Sequence, residues 1–146
     1  MGLIYIEEKD FKEEELEELF LSAGWASGKY PQKLAAALRG YGYVLAARDN
    51  GRLAGLAGAM DDGVMTAYVH YLLVLPEYRG RGYGKLLLKR LARIAVQRGC
   101  GRLEWACLDW NEPSIAFYKS VGATALDEWT TYRVTGDALL ALASRI

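Results

Sequence analysis

The stretch Leu72-Leu73-Val74-Leu75-Pro76-Glu77-Tyr78-Arg79-Gly80-Arg81-Gly82-Tyr83-Gly84-Lys85, followed at once by Leu86-Leu87-Leu88, narrows what this chain can fold into. An apolar run stops at a proline, and three glycines follow on alternate positions. An amphipathic pattern then begins, with Leu87, Leu88, Leu91, Ile94 and Ala95 on one face. The spacing predicts a strand, a tight turn, and a helix over 84–97 that Gly99 ends. The first N–H groups of a helix lack intrahelical partners, and the positive end of its dipole lies there. Glycine lets a ligand come close to such a backbone. With Arg79, Arg81 and Lys85 beside it, the turn is suited to holding phosphate.

Two familiar phosphate loops fail on spacing. The dinucleotide fingerprint needs G-x-G-x-x-G, whereas these glycines fall as G-x-G-x-G; Gly84-Lys85 is followed by Leu86 and offers no hydroxyl for a P-loop magnesium ion. The pattern R-x-x-G-x-G, as Arg79, Gly82 and Gly84, resembles instead the acyl-CoA pyrophosphate loop of the GNAT superfamily of N-acetyltransferases. A second segment strengthens the resemblance. Leu108-Asp109-Trp110-Asn111-Glu112-Pro113, then Phe117-Tyr118-Lys119, is similar to the closing motif of that superfamily in the form carried by diamine (spermidine/spermine) acetyltransferases. The resemblance covers residues 41–134 well and the first forty only in coarse pattern.

The remaining elements follow from local pattern. Residues 2–7 read as a strand and 13–23 as a helix with acids in its first turn. Pro31 opens a second helix that Gly40 stops. Strands are expected at 43–47, 53–60 and 65–75, the first two joined by the hairpin chemistry of Asp49-Asn50-Gly51. A further strand is expected at 103–108, with Cys107 a small buried hydrophobe within it. A short helix starts near Pro113 and Gly122 ends it; the last strand or strands fall in 123–134, and a terminal helix begins at Asp137. The order is α+β. The resemblance implies the GNAT fold: a mixed, mostly antiparallel central sheet of six to seven strands flanked by helices, with a parallel pair that splays apart. One domain, residues 1–146, is expected.

Composition limits the partners. Net charge is zero, but residues 7–18 carry eight acids against two lysines, and 77–102 carry eight bases against Glu77. Most of these charges read as solvated helix faces; Arg79, Arg81 and Lys85 alone gather where a polyanion would land. Without an overall basic balance or a binding motif, nucleic acid is not an expected partner. No apolar run reaches the roughly 18–20 residues a bilayer needs, and the first residues lack a basic leader, so the expectation is a cytoplasmic protein without membrane attachment. Two cysteines give no disulfide or metal framework, and no metal is expected. The apolar content of the last strands and of the Leu139–Leu142 region calls for cover, which makes a homodimer plausible.

The resemblance implies acetyl-CoA as co-substrate and acetyl transfer to an amine by direct attack in a ternary complex. Such chemistry needs a base, an oxyanion donor and help for the departing thiolate. An alkylammonium with a pKa near 10 is free amine in only about one molecule in a thousand at neutral pH. His70, the only histidine, matches the strand position where the diamine enzymes carry a glutamate proposed to relay the amine's proton. Packing in the strand is an equally simple account of it, and the loss of that negative charge weighs against a polyamine substrate. Tyr118 matches the tyrosine that lies near the cofactor sulfur and can protonate it; a packing pair with Phe117 is the plainer alternative. Cofactor contacts are implied for Leu72, Leu73, Val74, Arg79, Gly80, Arg81, Gly82, Tyr83, Gly84 and Lys85, and for Asn111 and Ser114, with helix capping an alternative for the last two. Family geometry would bring Trp25 and Tyr30 over the acceptor, with Trp129 from the final strands. A protein N-terminal or lysine acetyltransferase and a non-catalytic acyl-CoA sensor are the competing readings.

Overall fold

Turn chemistry sets the sheet. In this computed structural model, which describes residues 2–144, Asn50 and Gly51 both adopt positive φ and join Tyr43–Asp49 (β2) to Arg52–Asp61 (β3). Asp62 closes the next hairpin, its carboxylate accepting from the N–H groups of Val64, Met65 and Thr66, and leads into Thr66–Val74 (β4). Ile4–Glu7 (β1) pairs with β2, and Arg102–Glu104 (β5) runs parallel to β4, giving the sheet order β1-β2-β3-β4-β5. All other neighbours in the sheet are antiparallel.

Helices Glu13–Ser22 (α1) and Pro31–Arg39 (α2) form where their periodicity places them, separated by a 3₁₀ turn at Ala26–Lys29. Leu16, Leu19, Phe20, Leu34 and Leu38 from these helices close a core with Leu53, Leu56, Tyr71 and Leu73 of the sheet and Leu75 just past β4. Tyr83–Gln97 (α3) contributes Leu87, Leu88, Leu91 and Ala95, and Ala95 packs with Ala67 and Cys100. Small residues line β3, and at Gly55 an added Cβ would meet the Leu73 carbonyl oxygen at 2.9 Å.

The chain divides into two units, one ending at Ala106 and the other beginning at Cys107. The first holds the whole sheet. The second holds Glu112–Ser120 (α4) and Gly136–Ala143 (α5), and none of its described residues is buried. Among the described residues the sheet has five strands, not six or seven. The expected strand at 103–108 shrinks to Arg102–Glu104, and no strand forms in 123–134. Alternating apolar residues supply a propensity, but a strand also needs a neighbouring edge to take its N–H and C=O groups. Cys107 accordingly lies outside a strand and is half-buried.

Candidate active site

A 3₁₀ turn, Pro76–Tyr78, carries the chain from β4 to the glycines, and the side chains of Tyr78, Arg52 and Arg79 hold it. The Tyr78 hydroxyl donates to Asp49 Oδ2 at 2.5 Å. Arg52 bridges Glu18 at 3.2 Å and Glu77 at 3.0 Å. Arg79 Nε donates to the Val74 carbonyl at 2.9 Å, and its Nη2 reaches the Ser22 carbonyl at 3.4 Å. Arg79 thus braces the turn from behind. Arg81 is exposed, its guanidinium 5.9 Å from the Tyr78 ring centre.

In front of the brace the backbone is bare. Gly80 and Gly82 have φ of +77° and +84°, and a Cβ built on either would meet nothing within 4 Å. Gly82 is the N-cap of α3, no side chain caps that end, and the first turn holds no acid. The helix starts at Tyr83, one residue before expectation, and its first internal bond runs from the Leu86 N–H to the Gly82 carbonyl. The N–H groups of Tyr83, Gly84 and Lys85 precede that bond. Open space, unopposed donors and the exposed Lys85 and Arg81 fit a diphosphate.

Strand β4 offers two further features. Its ladder with β5 ends at Tyr68↔Glu104, so Val69 to Val74 have a sheet partner only in β3 among the described residues. Leu75 N–H bonds the Ala54 carbonyl of β3. Alternation then turns the backbone groups of Leu72 and Val74 toward the other edge, where Arg79 meets the Val74 carbonyl. The side chain of Leu73 is core, so only its backbone is near that edge.

The second feature is a β-bulge. Gly58 faces Tyr71 and the next residue, Ala59, faces Val69, leaving His70 as the extra residue on β4. The bulge turns His70 and Tyr71 to the same side, their rings stacked 4.3 Å apart at 18°. Tyr71 also meets Phe20 at 4.9 Å and Trp25 at 5.4 Å. The Tyr41 hydroxyl pairs with His70 Nδ1. His70 is exposed as a residue, but partial desolvation of its ring still holds the imidazole below its ordinary pKa. Burial first, then the neighbouring Tyr71 phenol, hold the Tyr41 hydroxyl well above the usual tyrosine range.

Trp25 is partly buried against Phe20 and Tyr71, whereas Tyr30 is exposed with Lys33 Nζ 5.4 Å from its ring centre. In the second unit Asn111 caps α4, its Oδ1 accepting from the backbone N–H of Ser114 at 3.3 Å, so the capping account holds for Asn111, while Ser114 contributes only its backbone. Tyr118 lies in α4 with Phe117 at 5.3 Å, and burial, then the Cys107 thiol, raise its pKa. A phenol so placed keeps its proton across neutral pH. Trp129 is 78% exposed. The structure therefore joins His70, Trp25 and the backbone of β4 in one unit, and holds Tyr118, Asn111, Ser114 and Trp129 in the other. Sequence reasoning missed Tyr41 and Tyr71; the signal available was Gly58 inside an apolar strand, since a Cβ there would meet the Tyr41 ring at 3.1 Å. No group of three or more His, Cys, Asp or Glu among the described residues is arranged to hold a metal ion.

Known proteins share these features. Residues 5–123 match the acetyltransferase (GNAT) family. An L-ornithine N5-acetyltransferase of Arabidopsis thaliana is 45% identical over 75 residues, 51% of this chain and 33% of that protein. A thialysine N-epsilon-acetyltransferase of Mus musculus is 38% identical over 81 residues, 53% of this chain and 48% of that protein. The chain thus spans about half or less of these curated relatives. An integron cassette protein from the mobile metagenome of V. cholerae has a solved structure with a TM-score of 0.77 and 27% identity, covering 99% of each chain.

Proposed function

The chain belongs to the GNAT acetyltransferase family, and from that premise we propose that it transfers the acetyl group of acetyl-CoA to the primary amine of a small molecule, by direct attack in a ternary complex. One observation carries the reading. The strand that ends in the bare glycine turn also carries, on a bulge, the chain's only histidine.

The N–H groups of Tyr83, Gly84 and Lys85, with Gly80, Arg81 and Gly82, hold the diphosphate. The open edge of β4 at Leu72 and Val74 meets the amide arm; within the second unit, Asn111 and Ser114 are the polar groups suited to cofactor contact. When bound, the thioester supplies an activated acetyl carbon and a leaving thiolate. The other tasks fall to the protein. His70, neutral at pH 7 because partial desolvation lowers its pKa, takes a proton from the ammonium. The Val74 N–H donates to negative charge developing on the carbonyl oxygen. Tyr118 Oη holds a proton for the departing sulfur.

The acceptor is a small-molecule amine, and the names of relatives, ornithine and thialysine acetyltransferases, support this class. Trp25 and Tyr30 wall the amine's approach, since aromatic faces attract ammonium groups. Residues 1–146 act as one domain, because the family match runs across the division at Ala106. No described helix is long and apolar enough to cross a membrane, and both cysteines are free; a cytoplasmic site of action fits these facts. The exposed Trp129, Tyr132 and Leu140 support a homodimer.

A panel of small amines, including ornithine and thialysine, tests the reading by release of free thiol from acetyl-CoA, beside calorimetric titration with CoA. Thiol release with a small amine supports it, with the acid limb of kcat/KM below the ordinary histidine value of 6.5. Release only with peptides transfers the activity to protein acetylation. Binding without release on any acceptor makes the chain a sensor. Absence of CoA binding at millimolar concentration and low salt overturns the assignment.

A further inference from the structure

We infer that Tyr41 is a positioning residue for His70: its hydroxyl accepts the Nδ1–H of the neutral imidazole, which leaves Nε2 as the nitrogen that takes the amine's proton. The inference rests on the reading of His70 as the base.

The side chains are arranged for that task. Tyr41 lies just past α2, only 8% exposed, its ring 5.7 Å from that of Tyr71 and within 9° of parallel. His70 stacks on the same Tyr71 ring. Gly58 faces Tyr71 across the bulge and leaves the room in which Tyr41 lies flat; any Cβ there would press on the Tyr41 ring at 3.1 Å. The hydroxyl thus arrives at Nδ1 on a side chain that packing has already fixed.

A hydroxyl can serve Nδ1 as donor or as acceptor. If it donated, the proton of the neutral ring would sit on Nε2, and that atom could accept nothing. If it accepts, Nε2 carries the free lone pair. Only the second arrangement survives the reaction unchanged. The amine N–H bond breaks, the Nε2–H bond forms, and the resulting imidazolium keeps the same Nδ1–H···Oη bond until Nε2 returns its proton to water. The pairing therefore needs no reorganisation during the step.

One histidine in the chain makes the test direct. Protein grown with ¹⁵N-labelled histidine gives a single imidazole, whose two nitrogen shifts report the tautomer with no ligand or turnover needed. Above its titration the wild type is expected to show a protonated Nδ1 and a bare Nε2. Tyr41→Phe keeps the ring stack and removes the acceptor; its imidazole should revert to the Nε2–H form that free histidine prefers in water. The same variant should lose about tenfold or more in kcat/KM for the amine with CoA affinity held within about twofold, and His70→Gln should lose at least as much. A wild-type imidazole protonated on Nε2 overturns the inference, as does a tautomer that Tyr41→Phe leaves in place. A shifted tautomer with unchanged acetylation rate overturns the base role of His70. Should no amine be acetylated at all, the tautomer still decides whether Tyr41 sets the ring.

Discussion

Up to Ala106 the chain buries Leu16, Leu19, Phe20, Leu38, Leu56 and Leu87 completely; from Cys107 onward it buries none of its described residues, although Trp110, Trp129, Tyr132 and Leu140 lie there. Both regions are rich in apolar side chains. They differ in whether each pattern meets a partner within its own unit. Periodicity alone did not make 123–134 a strand, whereas β2, β3 and β4 formed because each found a neighbour to close its ladder. The first unit holds the packed scaffold, the glycine turn and His70; the second holds Tyr118 and has no buried core among its described residues.

The sharpest way to break this contrast is to truncate one large side chain in each region. Phe20 sits at the centre of the first core, edge-on to Tyr71 and Trp25. Phe20→Ala should cost about 3–5 kcal/mol in urea unfolding. Trp129→Ala, at an exposed position, should stay within about 0.5 kcal/mol. A loss of several kcal/mol at Trp129 that grew with protein concentration would show the second unit covered by another copy of the chain.

A test of chemistry without stability comes next. Tyr118→Phe removes one hydroxyl from α4 and should lower kcat about 10–10³-fold in a variant that stays folded. An unaltered kcat in the folded variant would return Tyr118 to plain packing beside Phe117. The matching change in the first unit is Gly82→Ala. Its φ of +84° suits glycine, and the added methyl would touch nothing within 4 Å, so the cost is backbone strain alone. About 1–2 kcal/mol is expected, read as a lower melting temperature together with weaker CoA binding. Normal CoA affinity in that variant would take the phosphate away from this turn.

How much of this was readable beforehand follows the same division. The Gly80–Gly84 turn, the Asn50-Gly51 hairpin and the starts of α1 and α2 depend on residues close in sequence, and the chain displays them openly. The bulge at His70 depends on how β4 registers against β3, and the Tyr41 hydroxyl reaches His70 across 29 positions. No local pattern encodes either, beyond the hint of a glycine at position 58. Arg79 was legible as a cation of the turn, but its use as a brace on the Val74 carbonyl arises only from the folded path of the strand. The ends of β5 and the fate of 123–134 hang on partners, which a single-chain pattern does not contain.

The smallest effect separates the two regions by pH. In the first unit Arg48 joins Glu8 at 2.8 Å and Glu15 at 2.7 Å and also donates to the Gly51 carbonyl, tying β1, α1 and the hairpin together. Burial pushes the Glu15 carboxyl up, but the Arg48 hydrogen bond and the Lys12 N–H outweigh it and leave the pKa below the ordinary 4.5. A carboxyl held low in the folded state binds its proton more readily when unfolded. Its stabilisation is therefore complete above the ordinary value and disappears as pH falls through the folded one. Arg48→Met should lower stability at pH 7 by about 1 kcal/mol and by less near pH 3, below the ordinary carboxyl value, where protonation of Glu15 in the unfolded chain has already reduced what the clamp contributes. Urea midpoints at the two pH values measure the difference. Equal losses at both would mean that Arg48 acts through packing of its aliphatic stem, with Phe11 5.8 Å from its guanidinium, rather than through charge.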